Sequence, residues 1–214
     1  MPMNKCILGL ILAIVFLSGC TPSDFPTAEP ITEISYSTTT VGFFDTRISS
    51  YWVTSPLIKI CPNAGISRER VRQAVSFWQD AGYRFGGIEL IRATGEPCSA
   101  LPGEIAFKVP TQKQLSEAIS QNRLAVTETS YDRPTRQIIM ANIFFQTQIA
   151  SHKEKVVEHE LGHALGWSHH NRASHIMHPN LEKGGLSRIG MEKRDYEARI
   201  RDLLRSIEAA YHAR

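Results

Sequence analysis

The chain has 214 residues, enough for one domain of ordinary size with a buried apolar core plus an N-terminal appendage. Its 24 lysines and arginines against 21 acidic residues provide no basic field for holding nucleic acid, and that partner class is excluded. Seven of the eight histidines fall between His152 and His178, a clustering that points to a metal.

The first nineteen residues carry a single charge, Lys5, and an apolar run from Cys6 to Leu17 that is too short to span a bilayer, which takes about 20 apolar residues. This is the pattern of an export signal. Leu17-Ser18-Gly19-Cys20 resembles the lipobox of bacterial lipoproteins, and that resemblance implies that Cys20 becomes the lipid-bearing first residue of the mature chain, held on the outer membrane or cell surface. From Cys20 to Ser50 the sequence is rich in Thr, Ser and Pro and lacks a helical period, so it reads as a tether, of which Val41 to Phe44 can pack on the domain. The expected organisation is thus signal (1–19), tether (20–50) and catalytic domain (51–214). With Cys20 committed to lipid, Cys61 and Cys98 remain in an oxidising compartment, either as one disulfide or as two separate thiols.

The domain is expected to open with a strand at Pro56 to Ile60. A helix follows, with Ser67 as N-cap, Val71, Ala74, Val75, Trp78 and Ala81 on one face and Gly82 at the stop. Strands are predicted at Ile88 to Ile91 and Glu104 to Val109, and a helix capped by Thr111 and Gln114 after them. Two more strands, Leu124 to Ser130 and Gln137 to Phe145, flank a polar turn at Asp132 and Pro134. Ser151 and Glu154 form a capping-box pattern that would start a helix running to about Leu165. Met191 to Ala210 is the last helix, with Tyr196, Ile200, Leu203, Leu204 and Ile207 at core spacing. The class is α+β.

The chemistry is concentrated in His159-Glu160-Leu161-Gly162-His163-Ala164-Leu165-Gly166-Trp167-Ser168-His169. Residues four apart on a helix are offset by about 40°, so His159 and His163 project side by side and can share one ion. Glu160 sits beside them, positioned to take a proton from water without being a ligand. Gly166 lets the chain leave the helix sharply, so that His169 can return with a third nitrogen. Three neutral ligands with a position left open make a catalytic zinc site, whereas a structural site would be closed and rich in cysteine. The eleven-residue pattern would arise by chance in roughly one such sequence in twenty thousand. His152, His175, His178 and His212 read as bystanders; His170 could orient the third ligand, contact substrate or face solvent.

The motif resembles that of the metzincin clan of zinc endopeptidases, and Ser174-His175-Ile176-Met177-His178-Pro179 resembles the clan's Met-turn. The spacing to Met177 and the proline after it look most like matrixins, although these usually carry Ser or Thr where this chain has His170. The resemblance implies a twisted mixed sheet of about five strands, a long active-site helix, a Met-turn and a C-terminal helix. It implies one catalytic Zn2+ on His159, His163 and His169, Glu160 as general base and Met177 as the apolar floor. It further implies protein or peptide substrates that lie along the edge strand Leu124 to Ser130, with the segments after His170 and Pro179 walling a side-chain pocket. The chain is expected to act as a monomer. A hydrolase of cell-wall peptides, or a lipid-tethered binding protein without catalysis, would share the motif.

Overall fold

The computed structural model describes residues 47–93 and 97–212. The predicted signal, Cys20 and the tether as far as residue 46, with Val41 to Phe44, lie outside the described residues. The last residues assigned to the tether belong to the domain: Ile48 bridges to Trp167, and the Ser49 amide donates to the Gly166 carbonyl over 2.9 Å.

The strands are β1 (Leu57–Ile60), β2 (Ile88–Leu90), β3 (Glu104–Phe107), β4 (Ala125–Tyr131) and β5 (Ile138–Phe145). They form one sheet in the order β2-β1-β3-β5-β4, parallel except for β4, which runs antiparallel to β5 and forms one edge. The helices are α1 (Arg68–Gln79), α2 (Gln112–Ser120), α3 (Gln148–His152), α4 (Val156–Ala164) and α5 (Lys193–His212). The class is α+β, as the sequence predicts. Ser67 caps α1 by accepting from the Arg70 amide, and Thr111 with Gln114 forms the reciprocal capping box of α2.

Side chains alternate across a strand, so the register assigns each face of the sheet. On one face Ile60, Phe107 and Ile143 stand in register, with Ile58, Ile105 and Ala141 in the neighbouring row, all buried. β4 extends these rows with Thr127, opposite Ile143, and Thr129, opposite Ala141. α4 packs on β4, β5 and α1, with Val157, Leu161 and Ala164 fully buried. The opposite face mixes buried Ala106 and Phe144 with polar groups. Lys59 pairs with Glu104 at 2.5 Å, Asn142 Oδ1 accepts from the Ala100 amide, and Gln114 of α2 donates to Glu128. Cys61, just after β1, is disulfide-bonded to Cys98, with their Cα atoms 5.7 Å apart.

Two helices depart from expectation. The helix predicted from Ser151 is broken into α3 and α4, so the active-site helix begins only at Val156. Thr147 is the cap that opens α3, while Ser151 is buried and its hydroxyl lies within hydrogen-bond distance of two carbonyls, that of Gly65 at 2.7 Å and that of Gln148 at 2.8 Å. The local capping pattern is overridden by a partner 86 residues away. Lys155, at φ +74°, turns the chain into α4. In α5 only Tyr196 is buried; Ile200 and Leu203 are partly covered, and Leu204 is 41 % exposed. The helical period is right, but among the described residues no element packs closely over the later turns. No helix among the described residues is long and apolar enough to cross a membrane.

Candidate metal centre

α4 presents Val157, Leu161 and Ala164 to the core, which leaves His159 and His163 on its cleft side. Its C-terminal turn closes with two bonds, Gly166 N–H to the His163 carbonyl at 2.8 Å and Trp167 N–H to the Gly162 carbonyl at 3.0 Å, the Schellman arrangement. Gly166 has φ +98°, and a Cβ there would run into the Ser50 carbonyl, so glycine is required for both backbone angle and space. The turn swings the chain back and brings His169 against the other two imidazoles.

The Nε2 atom of His163 lies 3.0 Å from that of His159 and 3.1 Å from that of His169. A backbone carbonyl fixes the tautomer of two of the rings: His159 Nδ1–H donates to Ile176 O at 2.7 Å, and His163 Nδ1–H donates to Trp167 O at 2.8 Å. Each of these Nε2 atoms therefore carries a lone pair directed at the same point. Burial, reinforced by the neighbouring imidazoles, holds the His163 ring well below the usual histidine range and His169 down at about 4, so both are neutral at ordinary pH, as metal ligation requires. Lone pairs this close repel unless a cation lies between them. Tetrahedral binding with Zn–N of about 2.0–2.1 Å would place such nitrogens about 3.3 Å apart, and the set found here fits that ion. Among the described residues these three form the one His, Cys, Asp and Glu cluster arranged to hold a metal.

Glu160 follows the first ligand and is buried, and desolvation raises its carboxyl above the usual carboxylate range. Its Oε2 accepts a 2.6 Å hydrogen bond from the Thr127 hydroxyl, which also lies 3.1 Å from the Glu160 carbonyl oxygen. Met177 is fully buried beneath α4: a Cβ on Gly162 would collide with its Sδ and with the Trp78 indole. The Met177 amide donates to His175 Nδ1 at 3.2 Å, and its carbonyl accepts from the His170 amide at 2.8 Å.

The neighbouring histidines separate by environment. His175 is buried, its Nε2–H donates to Ile189 O at 3.3 Å, and burial lowers its pKa to about 4. His170 lies against it with ring centroids 4.4 Å apart and accepts from the Arg172 amide, an arrangement that braces the Met-turn. His178 accepts from the Asn180 amide, and His152 and His212 are exposed. Lys155 ties the stretch after Pro179 to the start of α4, its ammonium donating to the Leu181 carbonyl at 3.3 Å and to that of Gly184 at 3.1 Å. The Lys183 carbonyl accepts from the Ser174 amide, and the Ser174 carbonyl accepts from the Ser187 amide. These bonds hold the stretch after Pro179 against the Met-turn.

Sequence reasoning overlooks Thr127, Arg70 and Trp52. The guanidinium of Arg70 grips the Glu158 carboxylate with two 2.6 Å bonds, Trp78 Nε1–H donates to Glu158 O, and Trp52 Nε1–H donates to Ala164 O. Together they fix both ends of the active-site helix. A signal for Thr127 is present in the strand alternation, which places Ala125, Thr127 and Thr129 on one face, but sequence alone does not show that α4 covers that face.

Residues 110–203 match the family model of the matrixins, a span that takes in α2, β4, β5, the histidine triad, the Met-turn and the first part of α5. Comparison with curated proteins gives no match. Matrixin-type peptidases use zinc, and with the convergent triad and a five-stranded, mostly parallel sheet, the match makes this domain similar to the matrixins and consistent with a metzincin-like fold.

Proposed function

We propose that the protein is an endopeptidase that uses one zinc ion on His159, His163 and His169, with Glu160 as general base. The observation that carries this reading is the triad itself: three Nε2 atoms converge within bonding range of one ion, two of them in a fixed tautomer, and a buried carboxylate follows the first ligand. Held by these three histidines, zinc would supply Lewis-acid polarisation of the scissile carbonyl and a lowered pKa, toward about 7, for the attacking water.

The protein groups perform the remaining steps. An extended peptide adds to β4, the edge strand of the sheet among the described residues. Glu160 takes the proton of the attacking water on its carboxylate and passes it to the nitrogen of the departing amine. The raised affinity of its buried carboxyl for a proton suits both halves of that transfer. Met177 supports the ligand helix from below, and the Ile176 carbonyl holds the His159 ring in place. The Met-turn and the stretch after Pro179 wall the pocket for the side chain that follows the cut.

Glu160→Ala is expected to bind zinc as the wild type does and to lose hydrolysis, whereas His163→Ala loses both. The measurement is zinc content alongside digestion of casein and of isolated cell wall, with and without chelator. Full turnover by the Glu160 variant sinks the mechanism. Cleavage of cell wall alone replaces the substrate class, and zinc binding without cleavage of either leaves a binding protein. We further propose that Cys20 carries the lipid that holds the domain on a membrane. If Cys20→Ser still fractionates with membranes, that anchor is wrong.

A further inference from the structure

We propose that Thr127 is a positioning residue for the general base: its hydroxyl, presented from the substrate-binding edge strand, holds Oε2 of Glu160 and leaves Oε1 to exchange the proton. This inference rests on the peptidase reading for its catalytic consequence, though not for the geometry.

Thr127 ends a row that crosses the sheet through Ile60, Phe107 and Ile143, each buried and apolar. At the end of such a row, under α4, an apolar side chain would be the ordinary choice. The threonine instead puts a hydroxyl 2.6 Å from Glu160 Oε2 and 3.1 Å from the same residue's carbonyl oxygen. A hydroxyl has one proton to give, and the shorter contact, to the carboxylate, receives it. The neighbours in sequence, Val126 and Glu128, point to the other face, where Glu128 is held by Gln114.

A glutamate on a helix has three side-chain torsions, and burial alone does not determine which carboxylate oxygen faces the cleft. Anchoring one oxygen does so, and it removes the rotational freedom that would let the carboxylate turn from the attacking water. The anchor is compatible with both halves of the reaction: Oε2 accepts the same hydrogen bond whether or not Oε1 carries the proton. Because Thr127 belongs to the strand that a peptide would extend, the anchor of the base and the bound backbone share one rigid element. A substrate that pairs with β4 is thereby set in register with the carboxylate, and a threonine methyl alone would provide no such link.

The test compares wild type, Thr127→Val, which keeps the shape and removes the hydroxyl, and Thr127→Ser, which restores it. In zinc-loaded protein, Thr127→Val is expected to lower kcat by about tenfold to a hundredfold, with KM and zinc content within about twofold of wild type, and Thr127→Ser to recover most of the loss. Crystal structures of the zinc-loaded wild type and valine variant read the carboxylate directly, and displacement of Glu160 Oε2 in the variant is the expected result. An unmoved carboxylate, an unchanged kcat in the valine variant, or a serine variant as slow as valine would overturn the proposal. A wild type that cleaves no peptide counts against the peptidase reading instead, while the carboxylate position in the two crystals still decides whether Thr127 holds it.

Discussion

Gly162 stands between the two helical histidines of the triad, at a position the zinc motif leaves open, yet a Cβ there has no room. Its missing side chain is what allows the Met177 thioether and the Trp78 ring to sit against the helix backbone. Gly162→Ala would ordinarily favour a helix, by about 1 kcal/mol. Here the added methyl must displace Met177 or Trp78, and overpacking of this kind costs about 1–3 kcal/mol. The displaced turn also carries Ile176, whose carbonyl fixes the His159 tautomer. The expected outcome is a protein that is destabilised in denaturant and binds zinc more weakly in a chelator competition; a variant as stable and as tight as wild type would show that the Met-turn is not packed as described. The histidines were legible because their spacing on a helix brings them together without reference to the rest of the chain. Thr127 was not, because its role depends on which face of β4 meets α4.

Among the elements, the caps at Ser67 and Thr111 were readable because each is completed within three residues. The start of the active-site helix was not, since the Ser151 hydroxyl is taken by Gly65 and the turn into α4 is made by a lysine with a left-handed backbone. That lysine links two elements. The Lys155 ammonium bonds two carbonyls of the stretch after Pro179, while its backbone begins the helix that bears the ligands. Lys155→Met keeps the aliphatic stem and removes those bonds, so it should loosen the pocket wall and leave the triad in place. KM for peptides is then expected to rise about threefold to tenfold, the net worth of an ordinary hydrogen bond, with kcat and zinc content little changed. Equal losses in kcat and zinc content would mean that the lysine supports the ligand helix itself. α5 shows the converse failure of sequence reading: a correct amphipathic period predicted burial that only Tyr196 attains, since periodicity identifies a face without showing what covers it.

At the scale of the whole molecule, the Met-turn is locked by a histidine that must remain neutral. His175 is fully buried between the Met177 amide, which its Nδ1 accepts, and the Ile189 carbonyl, to which its Nε2–H donates. Protonation would put a proton on Nδ1, where the amide already points, and would add positive charge beside His170, Arg172 and His159. Burial, the largest cause, and these neighbours lower its pKa to about 4 against the opposing pull of the Ile189 carbonyl. A free histidine titrates near 6.5, so between that value and about 4 the unfolded chain binds the proton that the folded chain refuses. Stability from this group is therefore complete above about pH 6.5 and is lost as pH falls toward 4, with about 2 kcal/mol gone near pH 5. For a domain of this size that corresponds to about 4 to 8 °C in Tm. The zinc ligands also titrate, so both wild type and His175→Gln should be stripped of metal before comparison, which leaves their contribution common to the two. The glutamine variant will have its own lower Tm, and the informative quantity is how far each protein's Tm falls between about pH 7.5 and about pH 5. Wild type should fall further by that margin; equal falls would mean that His175 accepts its proton inside the fold without cost, and that the lock beneath the metal centre is not the one described.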